Sequence, residues 1–493
     1  MRALARSLRA AVLTVTTLLT YGVPPAWAQV PVAPVIEWAA CPEDEQVQCG
    51  TMKVPADWSV PEGATTLLTI ARRKATDPQR RIGALLVNPG GPGGSAVDFT
   101  FGAATYFGAE VLKRFDIIGM DPRGVGRSSP VLCSQDLVDE KPSPLIETEA
   151  EYAATIDYNR RLAADCAARS GPVFGHVDTA SVVRDMEAVR TALGEEKISF
   201  YGASYGTQMG AQYSQSYPER LRALALDGVM DHSAGLANFL IQETDAAQDS
   251  FRQFVAWCAR DTQCVLRGQN IDALWVKLMA QARAGKLVDP YDPKSKLRLS
   301  DLIGAAFVAF YDPQWYSFAY YLRDAAGMGE PGEMPPAPPP VDIVDHSFPA
   351  VFCEDWYLPI TGFKDLRRRL RILAGRAPHM LASPLALSAT TGCLGWPSAP
   401  DNPQRPLVPP RGMGPILLVN AVHDPATAYP WAQSVAGQLG PGARLLTYQG
   451  WGHVIYKTSP CVSAAVDKYL LTLTTPAAGT TCAAVAPQPY GVG

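Results

Sequence analysis

The feature that most narrows the fold is a serine set between glycines at the end of an apolar run. Gly202-Ala203-Ser204-Tyr205-Gly206 directly follows the run 198–201 and directly precedes a helix-like stretch, 207–217, ended by Pro218. A strand that becomes a helix within five residues leaves little room for side chains at the turn. Glycines there let a serine occupy a strained position with its Oγ clear of the sheet. The bland alternative is a glycine-rich turn that only packs helix against strand.

The neighbouring chain repeats the same rhythm. Runs at 66–71, 82–87, 115–120, 198–201, 221–226 and 416–420 are short and apolar and predict strands. Between 178 and 197, Val182, Met186, Val189 and Leu193 recur at helical spacing, and Gly194 follows as a stop. Alternation of this kind implies a mostly parallel sheet covered by helices, with the ligand site at the carboxyl ends of the strands. From about 231 to 400 the strand rhythm ceases and aromatic-rich helical segments take over, among them Trp315, Tyr316, Phe318, Tyr320 and Tyr321. The expected organisation is a sheet core at 29–230, an inserted lid at 231–400 and a return to the core at 401–493. Six prolines between Pro331 and Pro340 mark a loop or semi-rigid linker inside the insertion.

Charge and cysteines bound the setting. Across 493 residues, 43 Lys and Arg face 47 Asp and Glu, and the longest basic run is Arg367-Arg368-Arg369, which excludes nucleic-acid binding by phosphate neutralisation. Arg2, Arg6 and Arg9 precede the apolar run 10–19, and Ala26-Trp27-Ala28 has the small-x-small pattern of a cleavage site. This predicts a signal peptide at 1–28, export to a periplasm or the medium, and no stable membrane insertion after cleavage. The ten cysteines form no Cys-x-x-Cys and the six histidines no His-x-x-x-His, so disulfides explain them better than zinc. Their spacing favours neighbours: 41 with 49, 133 with 166, 258 with 264, 353 with 393, and 461 with 482.

A serine hydroxyl is a weak nucleophile at neutral pH and needs a base and a group that orients the base. Asp424 follows the run 416–419, and His453 follows 443–448 by a short loop, Gly450-Trp451-Gly452. The order Ser204, Asp424, His453 is that of hydrolases built on such a sheet. His423 adjoins the acid but precedes it, the wrong order for the base. Asp227 ends another strand run, and its Asp-Gly context reads as a turn. Asn88-Pro89-Gly90-Gly91-Pro92-Gly93-Gly94-Ser95 follows the run 82–87, where bare backbone can aim an N–H at a developing oxyanion. Gly91 and Tyr205, the residue after the serine, are the expected donors. A phosphate loop fails, because no Gly-Lys-Ser/Thr follows.

Pro89 to Ser95, Asp121-Pro122-Arg123-Gly124-Val125-Gly126-Arg127-Ser128, the serine elbow, Leu226-Asp227-Gly228, His423-Asp424-Pro425 and Gly452-His453 together resemble the secreted tripeptidyl aminopeptidase family. These are α/β-hydrolase serine peptidases related to proline iminopeptidases, a group that also contains carboxylesterases. The likeness spans about 36–482. It implies an α/β-hydrolase fold with a mostly parallel central sheet and an inserted, mainly helical lid. It also implies the triad Ser204, Asp424 and His453, peptide substrates with a free N-terminus, and no metal or organic cofactor. Cys353-Glu354-Asp355 departs from the Cys-x-acid element of many members and looks more like the proline-iminopeptidase arrangement. Glu354 and Asp355 are therefore expected to hold the substrate's ammonium group. Peptidase and esterase use the same core machinery and stay open here; a non-catalytic binding protein is disfavoured by the complete triad.

Overall fold

The computed structural model describes residues 35–329 and 341–489; the expected signal peptide and the prolines of the insertion lie outside the described residues. In chain order the strands are β1 (Glu37–Ala40), β2 (Val47–Pro55), β3 (Thr65–Arg73), β4 (Gly83–Asn88), β5 (Phe115–Met120), β6 (Leu132–Ser134), β7 (Ile198–Ala203), β8 (Leu221–Asp227), β9 (Ile343–Asp345), β10 (Ile416–His423), β11 (Ala443–Trp451) and β12 (Thr481–Cys482). Ten of them make one sheet in the order β1-β2-β3-β5-β4-β7-β8-β10-β11-β12, while β6 and β9 pair separately. The first three strands form an antiparallel edge, and every pairing from β5 to β12 is parallel.

Strands β4, β5 and β7 are buried at every residue, as expected of parallel strands covered on both faces. Side chains alternate between two cores. Leu86, Phe200, Leu224 and Leu418 meet the helices Thr179–Ala192, Tyr205–Ser216 and Tyr429–Leu439, whereas Leu85, Tyr201, Ala225 and Val419 meet Ala96–Tyr106 and Pro460–Thr472. The helix expected over 178–197 begins after Asp178, whose side chain accepts from Ser181 N–H. It ends at Ala192 because Gly194 takes φ 71°.

Strand order reverses at β4, which lies between β5 and β7. At such a switch point the loops after adjacent strands diverge and leave a crevice. Asn88 and Gly202 are partners at the ends of β4 and β7, so the glycine loop and the serine elbow leave the sheet side by side. His423 and Trp451 are likewise partners on β10 and β11, which brings the loops carrying Asp424 and His453 together.

Between β8 and β10 the elements among the described residues are helices apart from β9, running from Leu236–Arg260 to Pro384–Gly392. This insertion has its own aromatic core, built from Phe251, Phe254, Trp257, Trp275, Phe310 and Trp315. Its helix Ser347–Asp355 instead joins the main core through Ala350, Val351 and Phe352. All ten cysteines are paired, in the five combinations expected from their spacing. One bridge, Cys353–Cys393, ties two helices of the insertion together. Among the described residues no helix is long and apolar enough to cross a membrane.

Candidate active site

Ser204 sits at φ 55° and ψ −126°, outside the regions that side chains ordinarily adopt. Such strain costs about 1–3 kcal/mol and persists only where the surroundings hold it. Here the backbone does so: Ser204 N–H donates to Asp227 O at 2.8 Å, and the helix Tyr205–Ser216 starts at the next residue. The flanking glycines are steric requirements. A Cβ on Gly202 would lie 2.4 Å from Gly206 O, and one on Gly206 would lie 2.7 Å from Asn88 O.

Asp424 is fully buried and His453 is 8% exposed, as is Ser204. Nδ1 of His453 lies 2.9 and 3.0 Å from the two Asp424 oxygens; a carboxylate can only accept, so the proton is on Nδ1. Asp424 also accepts from the N–H groups of Ala426 and Thr427 and from the Thr427 hydroxyl. Its orientation is over-determined. Among the described residues Nε2 of His453 is buried without a hydrogen-bond partner.

Ser204, Gly91 and Tyr205 line one narrow cleft, walled by Phe239, Phe348 and Phe352. Gly91 takes φ 117°. Among the described residues neither the Gly91 nor the Tyr205 N–H donates to another group. The cleft thus holds a serine and two free N–H donors, and Thr427 of its lining touches the imidazole that Asp424 holds, which together make the set needed for acyl transfer.

Residues 379–482 match the family model described as TAP-like protein. Over most of its length the chain is also similar to curated proteins. It is 30% identical to the serine protease Hip1 of Mycobacterium tuberculosis, with 91% of each chain covered. It is 30% identical to the tripeptidyl aminopeptidase of Streptomyces lividans, covering 91% of this chain and 86% of that one. Carboxylesterase B of M. tuberculosis is 33% identical with 93% of each covered. The chain belongs to the TAP-like family of α/β-hydrolase serine enzymes.

The other candidates from the sequence are engaged elsewhere. Asp227 accepts from Ile455 N–H, Tyr456 N–H and the Tyr201 hydroxyl, so its carboxylate pins the loop after His453; burial pushes it up to about 6. Gly228 follows at φ 72°, where a Cβ would lie 2.9 Å from Cε1 of His453. His423 turns to Asp249, at 2.5 Å. Arg123 of the second family motif is buried on Asp185, and Asp121 holds Ser95 of the glycine loop and Val97 at the start of the helix after it, which makes that motif a scaffold.

Glu354 and Asp355 are not brought to the cleft. They are buried, but Phe348 and Phe352 are the residues of their helix that line it. Asp355 accepts from Thr179 N–H and hydroxyl, the Tyr205 hydroxyl, Gln208 and Asn402. Glu354 accepts from Val177 N–H at 2.8 Å. With only neutral donors around it, burial pushes Asp355 up to about 7. The carboxyl that lines the cleft is Glu243, which sequence reasoning missed. It accepts from Ser383 and Ala386, and burial pushes it up to about 8. Its helix Leu236–Arg260 reads only as amphipathic, so no local signal could have singled it out.

Proposed function

We propose that this chain is an exported serine exopeptidase that releases short peptides or single residues from free N-termini through an acyl-enzyme. The observation that carries it is the buried Asp424–His453 pair, joined through Thr427 to the cleft that holds Ser204 and two unengaged N–H donors. Ser204 Oγ attacks the carbonyl carbon while its proton passes to Nε2 of His453, the nitrogen with no other partner. Asp424 holds Nδ1–H and favours the imidazolium. Gly91 and Tyr205 N–H groups receive the oxyanion. His453 then protonates the leaving amine, and water repeats the sequence on the ester.

The names of two relatives, a serine protease and a tripeptidyl aminopeptidase, support peptide substrates. The helical insertion would act as the lid that limits entry to chain ends. A free ammonium has one carboxyl partner lining the cleft, Glu243, with which it would form a charge-assisted hydrogen bond. Export is supported by the pattern of residues 1–28 and by five disulfides. The 33% identity to a carboxylesterase supports a second reading, turnover of small or lipid-like esters.

One panel separates the two: a peptide arylamide with a free N-terminus, the same compound acetylated, and a short-chain aryl ester. The exopeptidase reading expects turnover of the free peptide far above the acetylated one. Equal turnover of both peptides, or turnover of the ester alone, defeats it. Glu243→Gln is expected to raise KM for the free peptide only.

A further inference from the structure

One helix of the insertion reaches both loops that carry the acid and the base. His423 and Trp451 end β10 and β11 and are register partners there. Asp424 follows His423 directly, and His453 follows Trp451 after one glycine. Asp249 and Gln253 stand four residues apart on the helix Leu236–Arg260, so they share a face on successive turns. Asp249 accepts from Nδ1–H of His423 at 2.5 Å, and Gln253 accepts from the Trp451 indole N–H at 3.1 Å. The helix thus meets a pair of strand ends with a pair of side chains. Other parts of the insertion add to the hold on the base loop. Trp451 packs on Trp315 with ring centroids 4.9 Å apart, and His453 N–H donates to Tyr311 O at 2.7 Å. Gly452, at φ 96°, has room for no side chain: a Cβ would lie 2.9 Å from Pro313 and 3.3 Å from Tyr311 O.

We propose that Asp249 and Gln253 are positioning residues for the triad: by pinning His423 and Trp451 they fix the gap across which Asp424 meets the His453 imidazole. This rests on the reading of Asp424 and His453 given above. The sheet does not fix that gap by itself, because the pairing of β10 with β11 is irregular between Ala421 and His423 and ends at Trp451. Asp424 and His453 both lie beyond the last paired residues, yet Nδ1 of His453 stands 2.9 and 3.0 Å from the two Asp424 oxygens. A hydrogen bond of that length is lost if either loop moves by about an ångström. Two tethers from one rigid helix hold the loops against each other. The insertion is therefore part of the machinery that aligns acid and base, in addition to covering the cleft.

The test uses the full chain with an aryl ester, which reports on the triad whether the physiological substrate is a peptide or an ester. Asp249→Ala and Gln253→Ala are each expected to lower kcat about tenfold and the double variant about 100-fold, the scale of a small misplacement of a catalytic group. KM stays at the wild-type value in all three. Asp249→Asn keeps an oxygen that accepts from His423 and is expected to recover most of the loss seen with alanine. Arg252→Ala, exposed on the same helix, is expected to leave kinetics unchanged. Wild-type kcat in the double variant overturns the proposal, as does a loss confined to KM, which would make the helix only a wall of the cleft. Equal losses in Asp249→Asn and Asp249→Ala overturn it too, because charge and not position would then be at work. Should the double variant fail to fold, the two single variants decide by the same readings. Turnover surviving in Ser204→Ala would instead defeat the triad reading itself.

Discussion

Two buried aspartates, each with no exposed surface, do different things. Asp424, in the loop after β10, accepts from two backbone N–H groups and a threonine and faces the imidazole of His453. Asp355, at the end of a helix of the insertion, accepts from five groups, all of them neutral, the hydroxyl of Tyr205 among them. Burial and a full set of hydrogen bonds therefore do not mark a catalytic acid. What marks it is a partner that must become charged during the reaction. A carboxyl without one is held neutral more readily and serves as scaffold.

The sharpest way to break this comparison begins at the centre they share. Ser204→Ala is expected to reduce turnover of every substrate by about 10⁶-fold, leaving only the residual effect of the oxyanion donors and binding, with the thermal midpoint unchanged. Asp424→Asn is expected to cost about 10⁴-fold in kcat, because an amide cannot favour the required tautomer or the imidazolium. Asp355→Asn is expected to fold less stably by about 1–3 kcal/mol, since an NH₂ group would face some of its five donors, and to keep kcat within about tenfold. Denaturant unfolding and steady-state kinetics on both variants decide. Similar kcat losses in the two would erase the distinction. Asp227→Asn should behave like Asp355→Asn, because its carboxylate touches the loop after His453 and not the imidazole; a loss as large as at Asp424 would move the acid to β8.

The smallest effect is a pH slope. Glu243 is pushed up to about 8 by burial, against an ordinary value of 4.5. Between those values the folded state keeps a proton that the unfolded chain has released. Its stabilising contribution is complete below pH 4.5 and is lost as the pH rises through 8. Gln at this position can still accept from Ser383 and Ala386 but cannot ionise. The thermal midpoint of Glu243→Gln is expected to fall less between pH 5 and pH 8 than that of the wild type. Parallel curves would show that Glu243 is already ionised at rest.

The core was legible because its signals are local. A strand that must turn into a helix around Ser204 needs glycine on both sides, and a parallel strand buried on both faces needs an unbroken apolar run. The order of Ser204, Asp424 and His453 follows from which strand ends meet at the switch point. Pairing of sequence-neighbouring cysteines is of the same kind. Strands β1, β2, β6, β9 and β12 were not read, being short or at an edge where half the residues face water.

What the sequence by itself determined is thus the sheet, the elbow and the three residues proposed as the triad. Each of these depends on contacts between segments whose backbone geometry leaves few alternatives. Only the tertiary structure decided where the insertion's side chains point. Helical periodicity gives Glu243, Tyr311 and Asp355 a place on a helix but not the surface their helix will meet. That choice engaged Glu354 and Asp355 with buried donors, put Glu243 on the wall of the cleft and laid Tyr311 against His453. The physical reason is that helices packed on one another and on a sheet edge can settle at many angles and offsets. The winner is set by the fit of buried side chains far apart in the chain, such as Tyr311 and Pro313 over Gly452.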